Sequence, residues 1–242
     1  MAVTPLPRLT PAGPRAHNRG VLGSFLSHLR LAPVALAPEL RLYQAAEPIG
    51  LWELTEGEYR SDQPPPFWAF PWAGGQALAR YLLDHPDEVA DRRVLDLAAG
   101  SGLVAIAASR SGAAEVQAVD VDRLAASAIE LNAEANGVAV TAVCADVLDN
   151  HITEIGEVDL VTAGDVFYSQ AMSQRVLRFL KRARGAGVAA LVGDPGRAYF
   201  PAGVFEHVTS YDVPVSKALE SATVLRTRVY RLSAPRAEDT PP

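Results

Sequence analysis

The chain has 242 residues, of which 49% are hydrophobic and 21% are charged, and its formal net charge is −6. A chain of this length can bury roughly 70% of its unfolded surface in one core, and its single cysteine, Cys144, predicts a reducing compartment. The negative charge argues against a general nucleic-acid-binding protein. No apolar run approaches the ~20 residues that span a bilayer, so we also predict no membrane association. The five histidines lack metal-ligand spacing, and we predict no metal site.

The N-terminal quarter of the chain is irregular. Four prolines within residues 1–17 predict a disordered arm, although the absence of acidic residues over 1–38 leaves a targeting peptide as the alternative. Apolar residues at helical spacing predict a helix over 18–31. Further prolines divide 33–66 into short strands or loops. We interpret 18–66 as an N-terminal extension that recognises a substrate or acts as a lid.

From residue 67 onward, apolar strands alternate with amphipathic helices. This alternation predicts an α/β fold, a doubly wound and mostly parallel Rossmann-like sheet with helices on both faces. The last two strand-like segments have no full-length crossover helix between them, which predicts an antiparallel C-terminal hairpin. We predict one domain over 67–232 and a disordered tail over 233–242. The predicted strands are 93–97, 115–119, 139–143, 158–163, 187–193, 205–213 and 223–232, and the predicted helices are 75–84, 102–110, 123–135 and 170–184.

A turn of small residues follows the first of these strands. The strand ends with Asp96-Leu97, and the turn contains Gly100 and Gly102 before an apolar helix begins. Glycine permits positive φ and lets a bulky ligand approach the backbone. The Asp96 carboxylate could accept a hydrogen bond from a cofactor amino group or orient the amides of the turn. We consider Asp96 too far upstream to cap the helix.

The second strand also ends in a carboxylate, Asp120, eighteen residues after Gly102. A carboxylate there can accept both hydroxyls of a ribose, which indicates a cofactor that carries a nucleoside. Asp122 is better explained as a helix cap. Because Gly100-x-Gly102-x-x-Ala105 also fits a dinucleotide fingerprint, an NAD-dependent dehydrogenase is a competing interpretation. Asp96 would repel a pyrophosphate, so the charge pattern favours S-adenosylmethionine, which is cationic at sulfur and has no phosphate.

Carboxylates follow the third and fourth strands as well. Asp146 could accept from an adenine amino group, with Val147 against the ring. Asp165 lies at the edge where open parallel sheets bind ligands, and Tyr168 follows three residues later. One turn could direct both side chains at a substrate. The alternatives are a solvated loop carboxylate for Asp146 and a helix cap with a packed tyrosine for the other two.

Together these residues resemble the class I S-adenosylmethionine-dependent methyltransferases, which have a seven-strand sheet. The segment Asp165-Val166-Phe167-Tyr168 resembles the D-x-x-Y motif of a lysine-methylating subgroup. Within that subgroup the chain resembles the electron-transfer flavoprotein β-subunit lysine methyltransferases. Segments 38–53, 67–84 and 193–197 also carry this resemblance, which covers about residues 30–232.

The resemblance implies a protein-lysine methyltransferase that acts on the electron-transfer flavoprotein β subunit and converts S-adenosylmethionine to S-adenosylhomocysteine. We also expect a monomer or weak dimer, located in the cytoplasm, or in the mitochondrial matrix for a eukaryotic source. Ala98 stands where the family usually has the first glycine of the turn. The residues expected at the target lysine are Asp165 and Tyr168, and those expected at the cofactor are Trp72, Asp96, Gly100, Gly102, Asp120, Asp146, Val147 and Ala163.

Three other functions stay open at this point. The nearest is a methyltransferase for another protein or a small molecule, and the others are the dehydrogenase and a non-catalytic module that binds the cofactor. A nucleic-acid amino-group methyltransferase usually has prolines between the Asp or Asn and the aromatic residue of its motif. Val166 and Phe167 occupy those positions here.

Overall fold

The computed structural model describes residues 25–47 and 65–233. The predicted arm over 1–17, the first part of the predicted helix over 18–31, most of the proline-rich segment and the tail after Ser233 lie outside these ranges. The strands are β1 (Leu29–Pro33), β2 (Arg41–Ala45), β3 (Arg93–Leu97), β4 (Glu115–Asp120), β5 (Thr141–Cys144), β6 (Leu160–Gly164), β7 (Ala189–Asp194), β8 (Phe205–Pro214) and β9 (Val224–Leu232). The helices are α1 (Ala73–Asp84), α2 (Leu103–Arg110), α3 (Arg123–Asn136), α4 (Ile152–Ile155), α5 (Gln170–Gly185) and α6 (Lys217–Glu220).

Seven strands form one sheet in the order β5-β4-β3-β6-β7-β9-β8. The first five are parallel, and β9 runs antiparallel to both β7 and β8. The predicted doubly wound sheet with an antiparallel C-terminal hairpin is therefore confirmed. From β3 the chain adds β4 and β5 on one side, and it then crosses to add β6 and β7 on the other side. In open α/β sheets, the ligand binds in the crevice at such a switch in strand order.

The two faces of the sheet pack against different helices. Val94 of β3 lies in a cluster with residues of α1, α2 and α3, whereas Leu95 and Leu97 lie in a cluster with residues of α5. This alternation follows from the two-residue period of a strand. It also places Asp96 on the same face as Val94, below α2.

The N-terminal extension contributes a small antiparallel hairpin, β1–β2, in which Leu29 pairs with Ala45. The helix predicted over 18–31 is wrong where the structure describes it, because residues 26–28 form a 3-10 turn and β1 follows. Pairing with β2 overrides the helical spacing, and Pro33 could not continue a helix. None of the helices within 25–47 and 65–233 is long and apolar enough to cross a bilayer.

Asn132 of α3 ties this hairpin to the small-residue turn after β3. The Tyr43 amide donates to Asn132 Oδ1 at 2.8 Å, and Asn132 Nδ2 donates to the Ser101 carbonyl oxygen at 2.9 Å. The Asn132 side chain is fully buried. The Asn132 amide thus bonds to one backbone group of the hairpin and one of the turn, so the hairpin is linked to the turn through this side chain.

Candidate active site

A cleft of about 560 Å³ opens at the carboxyl ends of β3, β4, β5 and β6. Its volume lies within the ~300–1,000 Å³ range of small-molecule and cofactor sites. Its apolar wall includes Val119, Ala125 and Leu148. The predicted site residues that line it are Trp72, Gly100, Asp120, Asp146, Val147, Asp165 and Tyr168.

Asp120 connects the end of β4 to the small-residue turn. Its Oδ2 accepts from the Gly100 amide at 2.9 Å, and its Oδ1 accepts from the Asp122 amide at 3.0 Å. A carboxylate has about four lone-pair positions, so Asp120 retains acceptor capacity for ligand hydroxyls. Burial raises the pKa of Asp120, and the backbone hydrogen bonds oppose that rise. Asp122 caps α3 by accepting from the Leu124 amide, as predicted.

Ala98 and Gly100 give the turn its shape. Their φ angles are +52° and +51°, a left-handed conformation that costs an L-residue other than glycine roughly 1–2 kcal/mol. Ala98 therefore carries strain where the resembled family has glycine. The conformation directs the backbone of the turn into the cleft, which both residues line.

Asp96 lies below the cleft rather than in its lining. Its side chain is 1% exposed, its Oδ1 accepts from the Thr162 hydroxyl at 2.8 Å, and its Oδ2 accepts from the Ala105 amide at 3.2 Å. Burial raises the pKa of Asp96 to about 7, while these two hydrogen bonds favour the anion. Asp96 therefore holds the first turn of α2, and the expectation that it is too distant to do so was wrong. Separation along the chain does not measure distance here, because α2 folds back over β3.

Two further predicted residues also lie outside the lining. Gly102 has a φ of +78° and precedes α2, where an added Cβ would approach Cγ1 of Ile129 to 3.1 Å. The positive φ favours glycine at this position, and a larger residue would also require the Ile129 side chain to shift by a few tenths of an ångström. Ala163 is fully buried in the cluster on the α5 face, and the next residue, Gly164, lines the cleft. Cofactor contacts by Asp96, Gly102 and Ala163 stay predictions.

Asp146 is held by an arginine at the other end of the cleft. Arg175 Nη2 donates to Asp146 Oδ1 at 3.0 Å, and Arg175 Nη1 lies 3.0 Å from Asp146 Oδ2. The Leu148 amide also donates to Oδ1, at 3.2 Å. The Arg175 hydrogen bond lowers the pKa of Asp146, so this carboxylate is an acceptor at neutral pH. Val147 beside it supplies buried apolar surface.

Asp165 lies at the carboxyl end of β6 in a left-handed conformation, with a φ of +56°. Its Oδ2 accepts from the Gly74 amide at the start of α1, and its Oδ1 accepts from Arg197 Nε at 2.9 Å. Arg197 Nη2 lies 2.7 Å from the same oxygen. Burial raises the pKa of Asp165 to about 6, and Arg197 opposes that rise. Strained backbone that is held by several contacts is typical of functional sites.

Aromatic side chains surround the mouth of the cleft near Asp165. The ring of Phe67 lies 6.0 Å from that of Tyr168 and 5.9 Å from that of Trp72. Tyr168 is 54% exposed, so its ring can contact a substrate that enters the cleft. Trp68 is 1% exposed and packs in the core.

Sequence reasoning missed Arg197 and Glu220. Arg197 Nη1 and Nη2 donate to the two carboxylate oxygens of Glu220 at 2.9 and 2.6 Å, and both residues line the cleft. The sequence did contain a signal for Arg197, because this residue lies three positions after Asp194, the last residue of β7, and β7 pairs with β6. Glu220 gave no such signal, since it lies in the short helix α6.

The position of Asp165 depends on close backbone contact between α1 and the sheet. A Cβ on Gly74 would overlap the Gly193 carbonyl oxygen and lie 2.7 Å from the Asp165 amide nitrogen. Gly75 has room, since its added Cβ would meet only Leu103 Cδ2, at 3.9 Å. A Cβ therefore fits at Gly75 but not at Gly74, so alanine substitutions at these two adjacent positions can be compared directly.

We expect Gly74→Ala to lower the midpoint of thermal unfolding by about 3–10 °C, the equivalent of ~1–3 kcal/mol of overpacking. Displacement of α1 would also withdraw the amide that holds Asp165, so any activity that depends on Asp165 should fall further than stability alone explains. Gly75→Ala is the control and should unfold at or above the wild-type midpoint, because alanine favours helix. Equal midpoints for the two variants would contradict the close contact.

The charges of the cleft suit a cationic ligand. Asp120, Asp122 and Asp146 supply carboxylates, and the two arginines in the described lining, Arg175 and Arg197, already pair with carboxylates. A pyrophosphate would need unpaired donors at the turn, and acidic side chains occupy that region instead. The residues present therefore fit S-adenosylmethionine better than a dinucleotide.

Comparison with known proteins agrees with this chemistry. The family model described as ribosomal protein L11 methyltransferase (PrmA) matches residues 77–167. The chain is 43% identical over 168 residues to the electron transfer flavoprotein beta subunit lysine methyltransferase of Danio rerio, covering 69% of this chain and 63% of the relative. It is 38% identical over 204 residues to the protein of the same name from Mus musculus, covering 81% of this chain and 77% of the relative.

Solved structures support the fold. The 16S rRNA N2 G1207 methyltransferase of T. thermophilus, solved with AdoMet and guanosine, matches with a TM-score of 0.54 and 20% identity. The match covers 86% of this chain and 50% of that one. Such identity shows a shared methyltransferase fold and nothing about the substrate.

Fold and relatives together replace the dehydrogenase interpretation. The prediction of a methyltransferase whose cofactor is S-adenosylmethionine is confirmed. The zebrafish relative is covered over slightly less than two thirds of its length and the mouse relative over more. The chain belongs to the family of electron transfer flavoprotein beta subunit lysine methyltransferases.

Proposed function

We propose that this chain transfers a methyl group to a lysine side chain of the electron transfer flavoprotein beta subunit. The names of its relatives support the substrate. The observation that carries the proposal is the Asp165 carboxylate, which is held by Gly74 and Arg197 at the edge of the cofactor cleft. An anion at this place can hold an amine that enters past Tyr168.

The nucleophile of this reaction, a lysine amine, is almost fully protonated at neutral pH and must be deprotonated before it can react. A lysine amine has a pKa near 10.4, so freeing its lone pair at neutral pH costs roughly 4–5 kcal/mol. When bound, S-adenosylmethionine supplies a methyl group that is electrophilic because the sulfur to which it is attached is positively charged. Asp165 accepts a hydrogen bond from the amine and orients its lone pair. The apolar wall and the rings of Phe67 and Tyr168 exclude water, which lowers the pKa of a buried amine.

Asp165 acts in this proposal as an orienting group and not as a strong base. A carboxylate beside an amine favours the charged amine, which is the unreactive form. The amine loses its proton to solvent before the transfer, because only the neutral amine has a free lone pair. Bound S-adenosylmethionine would supply the methyl group and keep the electron pair of the broken bond at its sulfur, and Asp165 would hold the nitrogen that accepts the methyl group. Alignment of the reacting atoms supplies much of the acceleration.

The proposal is tested with the purified flavoprotein of the same organism and radiolabelled S-adenosylmethionine. We expect label on the β subunit, and mass spectrometry of its peptides should place it on lysine. Ribosomal protein L11 is the comparison substrate, because the L11 methyltransferase model matches residues 77–167 of this chain. Label on L11 with none on the β subunit would favour the alternative, a methyltransferase for another protein.

We also infer a setting for the protein from its sequence. A single cysteine supports a reducing compartment, either the cytoplasm or the mitochondrial matrix, and we propose a monomer or weak dimer. The N-terminal extension is proposed to recognise the substrate or act as a lid. Its described part, β1–β2, packs beside α3 and supports that role by its attachment to the turn through Asn132.

A further inference from the structure

Arg197 stands out because it joins two carboxylates at the cleft. It donates to Asp165 Oδ1 through Nε at 2.9 Å and to both oxygens of Glu220 at 2.9 and 2.6 Å. The side chains of Asp165 and Glu220 are 8% and 9% exposed. Charge-assisted hydrogen bonds of this kind between a guanidinium and carboxylates are strong and directional.

The backbone of Arg197 is fixed as firmly as its side chain. Asp194 Oδ1 accepts from the Gly196 amide at 2.6 Å and from the Arg197 amide at 2.8 Å. Asp194 is fully buried at the end of β7, so this turn is anchored in the sheet. The Arg197 guanidinium thus extends into the cleft from a turn whose backbone is held by the buried Asp194 carboxylate.

We propose that Arg197 is a positioning residue of the methyl-transfer site, which holds the Asp165 carboxylate as an anion and offsets the negative charge that the target amine would otherwise meet. This inference rests on the proposed function. It resolves a conflict in that function: a lone carboxylate would orient the amine and also keep it protonated. A guanidinium that donates to Oδ1 leaves the carboxylate a hydrogen-bond acceptor and reduces its negative field.

The groups around Asp165 determine the direction of the effect. Arg197 is the cation that contacts it, and Asp194 and Glu220 are acidic neighbours on β7 and α6. Gly74 contributes an uncharged amide from α1, whose first turn has no acidic residue, and Tyr168 is a phenol. Without Arg197, burial and the two acidic neighbours would all favour protonated Asp165. The pKa of Asp165 should therefore rise from about 6, and less anion would be present at neutral pH.

The first test measures Asp165 directly and needs no substrate. In the full chain saturated with S-adenosylhomocysteine, carbon-13 NMR follows the Asp165 carboxyl from pH 4.5 to 9, and Asp165→Asn assigns the signal. We expect Arg197→Gln to raise the titration midpoint by about 1 pH unit or more, since an opposite charge at this range lowers the pKa of a carboxyl by ~1–3. Arg197→Lys keeps the charge but cannot bond as a planar guanidinium does, so it should reverse about half of that rise and leave the midpoint between those of wild type and Arg197→Gln.

Arg226→Gln is the matched control. Arg226 pairs with Asp212 on the exposed surface, so its loss should leave the midpoint unchanged. A midpoint in Arg197→Gln that equals the wild-type value overturns the proposal. If thermal melting shows that Arg197→Gln does not fold, Arg197→Lys decides. Loss of the fork geometry should then raise the midpoint measurably, and an unchanged midpoint would again overturn it.

The second test uses the reaction. With the β subunit as substrate, the acid limb of kcat/KM should move to higher pH in Arg197→Gln. A limb that moves by about one pH unit from a midpoint near pH 6 lowers the rate about twofold at pH 7 and up to about tenfold well below pH 6, and the rate should recover near pH 9. A loss equal at every pH would indicate a merely structural role and contradict the proposal. If wild-type enzyme transfers nothing to the β subunit, the proposed function fails, while the NMR midpoint still decides the role of Arg197.

Discussion

Asp165→Asn should lower the rate of methyl transfer by at least about 100-fold, the usual cost of losing one placed electrostatic group in an active site. Asparagine cannot hold the amine as an anion does. Its amide group would also present a donor to Arg197 or to the Gly74 amide, where an acceptor now lies. The rate is measured with radiolabelled cofactor and the β subunit at saturating concentrations of both.

Binding of the cofactor should survive this substitution. The contacts of Asp165 are to α1 and to Arg197, and the proposed cofactor contacts of Asp120 and Asp146 lie on β4 and after β5. We therefore expect the Kd for S-adenosylhomocysteine, measured by calorimetry, to stay within about threefold, less than one charge-assisted hydrogen bond contributes. Asp212→Asn, an exposed carboxylate in an ion pair, is the control and should change neither quantity. Loss of cofactor binding in Asp165→Asn would contradict this division of roles.

Asp120→Ala should produce the opposite pattern, with a Kd for S-adenosylhomocysteine raised at least about 100-fold. Hydrogen bonds to a charged group contribute ~1.5–3 kcal/mol each, and the substitution removes the proposed acceptor of two ribose hydroxyls. It also releases the Gly100 amide, which loosens the turn. Calorimetry gives the Kd, and the rate at saturating cofactor should change far less than the Kd.

Asp120→Asn is the matched variant for this position. It keeps one oxygen that can accept from a hydroxyl, so its Kd should lie between the wild-type and Asp120→Ala values. Comparison of the three Kd values then separates the contribution of the Asp120 charge from that of its side-chain shape. A Kd for Asp120→Ala equal to that of the wild type would remove Asp120 from the cofactor site.

The sequence predicts the fold well where one residue pattern has one physical solution. Strands such as Leu160–Gly164, which carry apolar residues on both faces and are almost fully buried, favour a parallel sheet covered by helices on both sides. The positions of Asp120 and Asp165 in the site can be predicted in the same way, because the carboxyl ends of parallel strands lie at one edge of the sheet. The same logic extends to Arg197, which lies just beyond the end of β7, the strand beside β6.

Other features depend on contacts that no local pattern encodes. The residues of β1 have the spacing of a helix end, and only pairing with β2 makes them a strand. Asp96 and Ala105 are nine positions apart, and they meet only because α2 folds back over β3. The Asp96–Thr162 hydrogen bond links residues on adjacent strands that are 66 positions apart. Glu220 reaches the cleft only because α6 follows the edge strand of the sheet.

A crystal structure of the full chain with S-adenosylhomocysteine tests the division of the cleft most directly. We predict that both ribose hydroxyls lie within hydrogen-bond distance of the Asp120 carboxylate and that the sulfur faces the end of the cleft where Asp165 and Tyr168 lie. A ribose without contact to Asp120, or a sulfur directed toward Asp146, would contradict the account of how this enzyme brings the methyl donor and the target amine together.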